Sequence, residues 1–212
     1  MLALIFGIIF CFTAQAADPN KAHNHNGVSQ RFSDPKPVWL SHTERATLDK
    51  GKPVLKQVKG SDDGGRGIAI FDVNASEQIV WSVLTSFTSY PNWIEGLDVC
   101  QPYKTAGDNI YVTFGVNTWG YKLTYYVLHD YQPSKGYMTW TLDYSRLSDL
   151  SDSSGYWLVY PSPLDPQKTR VEYTVDVRIG GWIPGFIESY LAETGVENAT
   201  QWVKRESEKR AR

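Results

Sequence analysis

The chain has 212 residues, 42% hydrophobic and 14% aromatic, with a formal net charge of -2. That is enough apolar material for the core of one ordinary domain with extensions. The near-neutral balance excludes a global attraction to nucleic acid or an anionic membrane, and the mixed-charge end from Lys204 to Arg212 reads as a solvated helix terminus.

Residues 2–13, LALIFGIIFCFT, form an apolar block followed by Ala14-Gln15-Ala16-Ala17. A short apolar core before an Ala-x-Ala site is a signal-peptide pattern, and the block is short for a bilayer span. The expectation is an exported protein, periplasmic or secreted, with residues 1–16 as signal peptide. A retained anchor is the alternative, because no Lys or Arg precedes the core. Cleavage leaves Cys100 alone, so the domain holds itself by packing without an internal disulfide. Cys100 reads as a small strand hydrophobe. Residues 17–37, polar and rich in Pro, Asn and Gly, read as a flexible arm. His23 and His25 lie in it, too few ligands for a folded metal site.

Residues 38–60 read as a leader: a short helix stopping near Lys50-Gly51, then the strand PVLKQV. SDDGGRG reads as a turn before the strand GIAIFDV. In NASEQIVWSVLTSF, Asn74 is a candidate N-cap with Glu77 three residues on, and Ile79, Val80, Val83, Leu84 and Phe87 fall at helical spacing. TSYPNWIEGL is a shorter helical piece, broken by Pro91 and stopped by Gly96.

From Asp98 to Ile179 the period changes to two. VCQPYKT, NIYVTFGVNT, KLTYYVLHDYQ, YMTWTLDYS, GYWLVYPS and TRVEYTVDVRI read as successive strands, separated by turn signals that include the Ser/Asp/Gly run from Ser148 to Gly155. Short connections make neighbours antiparallel. In the last strand Val171, Tyr173, Val175, Val177 and Ile179 face one way, and Arg170, Glu172, Thr174, Asp176 and Arg178 the other, which predicts one dry and one wet face. A long helix follows from Pro184, with Phe186, Ile187, Tyr190, Leu191, Trp202 and Val203 on its broad apolar face. Gly195 marks either a bend or room for a ligand.

The order strand, two short helices, antiparallel strands, long C-terminal helix resembles the helix-grip fold of the START-like (SRPBCC) superfamily. FDVNASEQIVWSVLTSFTSYPNWIEGL is similar to that group's opening, SGYWLVYPSP and TRVEYTVDV to its last strands, and GGWIPGFI to the entry of its last helix. The likeness covers roughly residues 45–208 and is nearest to the polyketide-cyclase-like and coenzyme-Q-binding-like branches. It implies an α+β fold in which a curved antiparallel sheet of about six to seven strands, within residues 61–212, wraps the helix around an apolar cavity. Such cavities take sterols, phospholipids, polyketides, quinones or plant hormones.

Strand parity and this likeness together assign the cavity wall to Trp93, Phe114, Tyr125, Trp140, Tyr144, Trp157, Tyr173, Ile187, Tyr190 and Leu191. Each ring could equally be plain core. Pockets of this kind are apolar with a few polar groups, and tyrosines supply both. His129 shares the wall's parity and, with the tyrosines, is the candidate for moving protons. No nucleophile elbow, zinc motif or phosphate loop occurs, and Asp143, Asp149 and Asp152 read as solvated turn residues. The expectation is a monomeric binding or carrier protein for a lipid or other hydrophobic molecule, without cofactor, metal or nucleic acid and in transient contact with membranes. The alternative is a polyketide cyclase or aromatase-like enzyme using the same cavity.

Overall fold

The computed structural model describes residues 16–24, 29, 31–59, 64–118, 121–179 and 195–212. Helix α1 (His42–Asp49) leads into β1 (Val54–Lys59) and β2 (Gly64–Val73). Helix α2 (Glu77–Leu84) and a 3-10 turn (Phe87–Asn92) follow. Then come β3 (Leu97–Ala106), β4 (Asn109–Thr118), β5 (Tyr121–Gln132), β6 (Tyr137–Leu142), β7 (Leu150–Pro161) and β8 (Thr169–Ile179). Helix α3 (Gly195–Arg210) ends the chain.

The strands form one antiparallel sheet in the order β1-β2-β8-β7-β6-β5-β4-β3. It has eight strands, where about six to seven were expected, because the leader strand β1 pairs with β2. The α+β helix-grip arrangement is otherwise as expected. The expected helix start at Pro184, with Ile187, Tyr190 and Leu191, lies outside the described residues.

Local chemistry explains most boundaries. Ser41 and Glu44 make a reciprocal capping box at α1, and Gly51 takes φ +73 just beyond its end. At α2 the cap is Ser76, whose hydroxyl accepts from the Ile79 amide. Asn74, the expected cap, instead uses its amide groups on Glu208 of α3. Both are good capping residue types, and the contact with α3 selects between them. Of the turn expected at SDDGGRG, the last four residues are strand, since β2 begins at Gly64. The turn expected over Ser148–Gly155 is likewise strand from Leu150 onward.

One face of the sheet carries the main core. Val80, Val83 and Leu84 of α2 and Trp202 and Val203 of α3 pack there against Ala69, Phe71, Val73, Val127, Met138, Trp157 and Val171. Helix α3 is fixed at several points: Lys204 Nζ donates to the Asp72 carbonyl at 2.9 Å, and Arg210 donates to Ser82 Oγ at 3.0 Å and Ser86 Oγ at 3.3 Å.

The opposite face is buried too, which corrects the expected wet face. Arg170, Glu172, Thr174 and Asp176 of β8 are all buried. Arg170 grips Asp72 with two hydrogen bonds, 2.5 and 2.9 Å, and Glu172 accepts from the Tyr160 hydroxyl and from the Val38 amide. The charged side chains are stable there because each is paired, Asp176 with the Ser29 hydroxyl at 3.3 Å. The cover comes from the N-terminal segment. Phe32 packs edge-on against Tyr156 at 5.1 Å, the Ser29 amide donates to Asp152 at 2.7 Å, and Asp18 pairs with Leu147 in an isolated bridge. Leu40 and Leu48 close a second small core with Val54 and Ile70. Asp152, expected to be solvated, is buried as a result, and Asp143, expected likewise, is buried with the Tyr103 hydroxyl and Ser145 donating to it. His23 uses both ring nitrogens, on the Ser151 carbonyl and the Ser148 amide.

Candidate functional site

The inner wall follows from register. Phe114 pairs with Tyr125, His129 with Trp140, Trp140 with Gly155, Trp157 with Tyr173, and Gly155 with Val175. Side chains opposite one another share a face. Phe114, Tyr125, His129, Trp140, Trp157 and Tyr173 therefore line one surface, under α2 and α3.

Their rings form a continuous aromatic track. Trp93 stacks on Trp202 at 5.7 Å, and Trp202 meets Trp157 edge-on at 6.4 Å. Trp157 lies 4.4 Å from Tyr173, which stacks on Trp140 at 5.6 Å. Trp140 meets His129 at 6.3 Å, and His129 meets Phe114 at 6.2 Å. Phe114 and Tyr125 are parallel, 5.2 Å apart with 4° between planes. Trp202, which the sequence places on the apolar face of the last helix, joins α3 to this track.

The track is not uniformly packed. Val112, Val127, Trp140 and Trp157 are buried, whereas Phe114, Val116, Tyr125, Tyr173 and Val175 keep part of their surface accessible. Burial nevertheless pushes the phenols of Tyr125 and Tyr173 well above the ordinary range, and each of the two hydroxyls lies within electrostatic reach of other buried polar groups, Cys100 for Tyr125 and Tyr125 for Tyr173. Among the described residues neither hydroxyl has a hydrogen-bond partner.

His129 sits in this wall, with Nδ1 3.3 Å from the Ile110 carbonyl and Phe87 5.0 Å from its ring. Burial lowers its pKa to about 4, so the ring is neutral near pH 7. Burial also raises the Cys100 thiol, which leaves it inert as a nucleophile.

Tyr144 does not join the wall. β6 ends at Leu142, and the Tyr144 hydroxyl donates to Asp152 at 2.8 Å on the opposite side, with Arg31 over its ring at 5.4 Å. Strand parity misplaces it because the strand stops two residues earlier. Trp93 lies at the end of the 3-10 turn, where Arg210 covers its ring at 5.4 Å and Arg205 bonds its carbonyl at 3.1 Å. Ile187, Tyr190 and Leu191 lie outside the described residues.

An open groove of about 460 Å³ runs outside α2, between Glu77, Trp81, Thr85, Tyr131 and Pro133. It faces solvent. Among the described residues no His, Cys, Asp or Glu cluster is placed to hold a metal ion, and no helix is long and apolar enough to cross a membrane.

An eight-stranded antiparallel sheet gripping a C-terminal helix defines the helix-grip fold class. Residues 69–209 match the profile of the polyketide cyclase / dehydrase and lipid transport family, and the chain belongs to that family. No curated protein sequence matches. Solved structures agree on the fold. The Zhui aromatase/cyclase from Streptomyces aligns with TM-score 0.58 at 17% identity, over 75% of this chain and 97% of that one. A STAR-related lipid transfer protein from Xanthomonas axonopodis aligns with TM-score 0.55 at 14% identity, over 72% and 98%. A START superfamily protein from Mycobacterium smegmatis aligns with TM-score 0.53 at 19% identity, over 69% and 96%.

Proposed function

We propose that this protein is an exported carrier that holds a lipid or other hydrophobic small molecule between the inner face of the sheet and the C-terminal helix. The observation that carries this reading is the patch of Phe114, Val116, Tyr125, Tyr173 and Val175, packed against the main core yet partly accessible, with two phenol hydroxyls lacking partners among the described residues. An apolar ligand gains about 25 cal/mol for each Å² it buries there. One ligand oxygen between Tyr125 and Tyr173 supplies the missing hydrogen bonds and fixes orientation.

The likeness to both a lipid transfer protein and an aromatase/cyclase leaves an enzymatic use of the same space as the competing reading. The environment of His129 favours the carrier. A ring enclosed by Phe87, Phe114 and Trp140, with a pKa of about 4, is a weak base near pH 7 and holds no proton to give. The apolar block 2–13 and the Ala-x-Ala site that follows support the export part.

The test is native mass spectrometry of protein purified from the envelope fraction, followed by solvent extraction. The carrier reading expects a stoichiometric hydrophobic molecule, lost when Tyr173 and Phe114 are replaced by smaller residues. Protein that stays empty after incubation with total membrane lipid overturns it.

A further inference from the structure

The geometry points to a docking site for a new N-terminus: chain cleavage between Ala16 and Ala17 leaves an α-ammonium on Ala17 that pairs with the carboxylate of Asp149. This rests on the export part of the proposed function and is independent of the carried ligand.

Two separate observations meet at this residue. In the sequence, the apolar block 2–13 is followed by small residues at 14 and 16, the positions a signal peptidase reads before its cut. In the fold, Ala17 is the first described residue in chain order that bonds the body of the protein. Its backbone nitrogen lies 2.8 Å from Asp149 Oδ1. The next residue, Asp18, is locked to Leu147 by two backbone bonds of 2.9 and 3.0 Å. Ala16, one step before, is exposed. Among the described residues, the contacts that seat the segment on the sheet begin one residue after the cleavage signal.

Asp149 is built to receive this atom. Its other oxygen accepts the Thr124 amide at 2.6 Å, and its own amide donates to the Thr124 carbonyl at 2.9 Å. Strand β5 therefore aims the free oxygen at residue 17. A peptide nitrogen gives that carboxylate one hydrogen bond from an uncharged donor. After hydrolysis the same nitrogen carries three hydrogens and a positive charge, so the bond becomes an ion pair with both partners charged.

The covalent step is ordinary hydrolysis. Water adds its oxygen to the Ala16 carbonyl carbon, the bond to the Ala17 nitrogen breaks, Ala16 leaves as a carboxylate and the released amine takes up a proton. A membrane-bound peptidase of the exporting cell performs it on the extended chain. Folding then seats the ammonium on Asp149, next to the bridge that starts the cover of the outer sheet face.

The test expresses the full chain in an export-competent bacterial host and determines intact mass and N-terminal sequence of the envelope protein. The expected start is Ala17-Asp18-Pro19-Asn20. The same protein is then compared before and after selective α-amino acetylation, with and without Asp149→Asn. Acetylation is expected to lower Tm by about 1–4 °C, the range that a surface ion pair gives in a domain of this length. It is expected to have no further effect in the Asp149→Asn protein. A retained Met1 overturns export and docking together. Exported protein starting at any other residue overturns the docking site alone. Acetylation that leaves Tm unchanged, or lowers it equally in both proteins, also overturns the docking site while leaving the carrier reading intact.

Discussion

Trp140 lies across Gly155, its partner on the neighbouring strand. A Cβ at Gly155 would come within 2.2 Å of Trp140 Cζ2 and within 2.2 Å of the Thr174 carbonyl oxygen. The missing side chain lets the indole lie flat on the sheet and stack on Tyr173 at 5.6 Å. Gly155→Ala is therefore expected to destabilise the protein by about 1–3 kcal/mol through overpacking, because the carbonyl cannot give way. Urea denaturation checks this. Near-UV circular dichroism is expected to change with it, as the Trp140–Tyr173 pair is displaced.

Tyr125→Phe and Tyr173→Phe remove hydroxyls that have no partner among the described residues. Stability is expected to change little, since no internal hydrogen bond is lost. Affinity for an oxygen-bearing ligand is expected to fall, by about 1 kcal/mol for each hydroxyl, or roughly fivefold in Kd. Fluorescence titration reads both, because Trp140 and Trp157 adjoin Tyr173. A loss of stability with unchanged affinity would contradict the placement of these hydroxyls at the ligand.

Strand periodicity made much of this fold readable. β4 and β8 fall on the stretches NIYVTFGVNT and TRVEYTVDVRI that alternation picks out, and the wall pairs Phe114 with Tyr125 and Trp157 with Tyr173 follow from parity. Reading failed wherever a distant segment decides the environment. Leu150-Ser151-Asp152-Ser153-Ser154-Gly155 has turn composition, yet it is strand because β8 pairs with it and Ser29 covers Asp152. Glu172 and Asp176 look solvent-facing until Val38 and Ser29 are placed over them. A polar cover carries no hydrophobic pattern, so nothing local announces it. Tyr144 was lost for a similar reason: its hydrogen bond to Asp152 belongs to the covered face.

His129 sets a pH dependence. Its pKa falls from 6.5 in the free side chain to about 4 when buried among rings. Above pH 6.5 it is neutral in both states and adds nothing. As pH drops below 6.5 the unfolded chain takes up a proton that the folded chain resists, so stability is lost progressively down to pH 4. The loss is about 3 kcal/mol. Glu172 has the opposite sign, because burial raises its carboxyl and the folded state binds that proton more readily. Comparing wild type with His129→Phe isolates the histidine: the variant is expected to show a flatter stability profile between pH 6.5 and 4. Parallel profiles would contradict burial of the neutral ring.

The covered outer face makes the N-terminal segment a stability element. Asp152 is fully buried and accepts from the Ser29 amide, the Tyr144 hydroxyl and the Ser153 amide. Asp152→Ala leaves these donors without their acceptor, and a buried unsatisfied donor costs about 1–3 kcal/mol. Phe32→Ala removes the edge contact with Tyr156 and the ring beneath Arg66, 5.3 Å away. Each change loosens the same segment, so their effects are expected to be less than additive, with the double variant close to the worse single one. Each single variant is also expected to speed proteolysis within residues 18–37, since opening of the segment is what both promote. Full additivity in urea, with unchanged proteolysis, would mean that the two contacts hold the sheet independently and that the segment does not act as one cover.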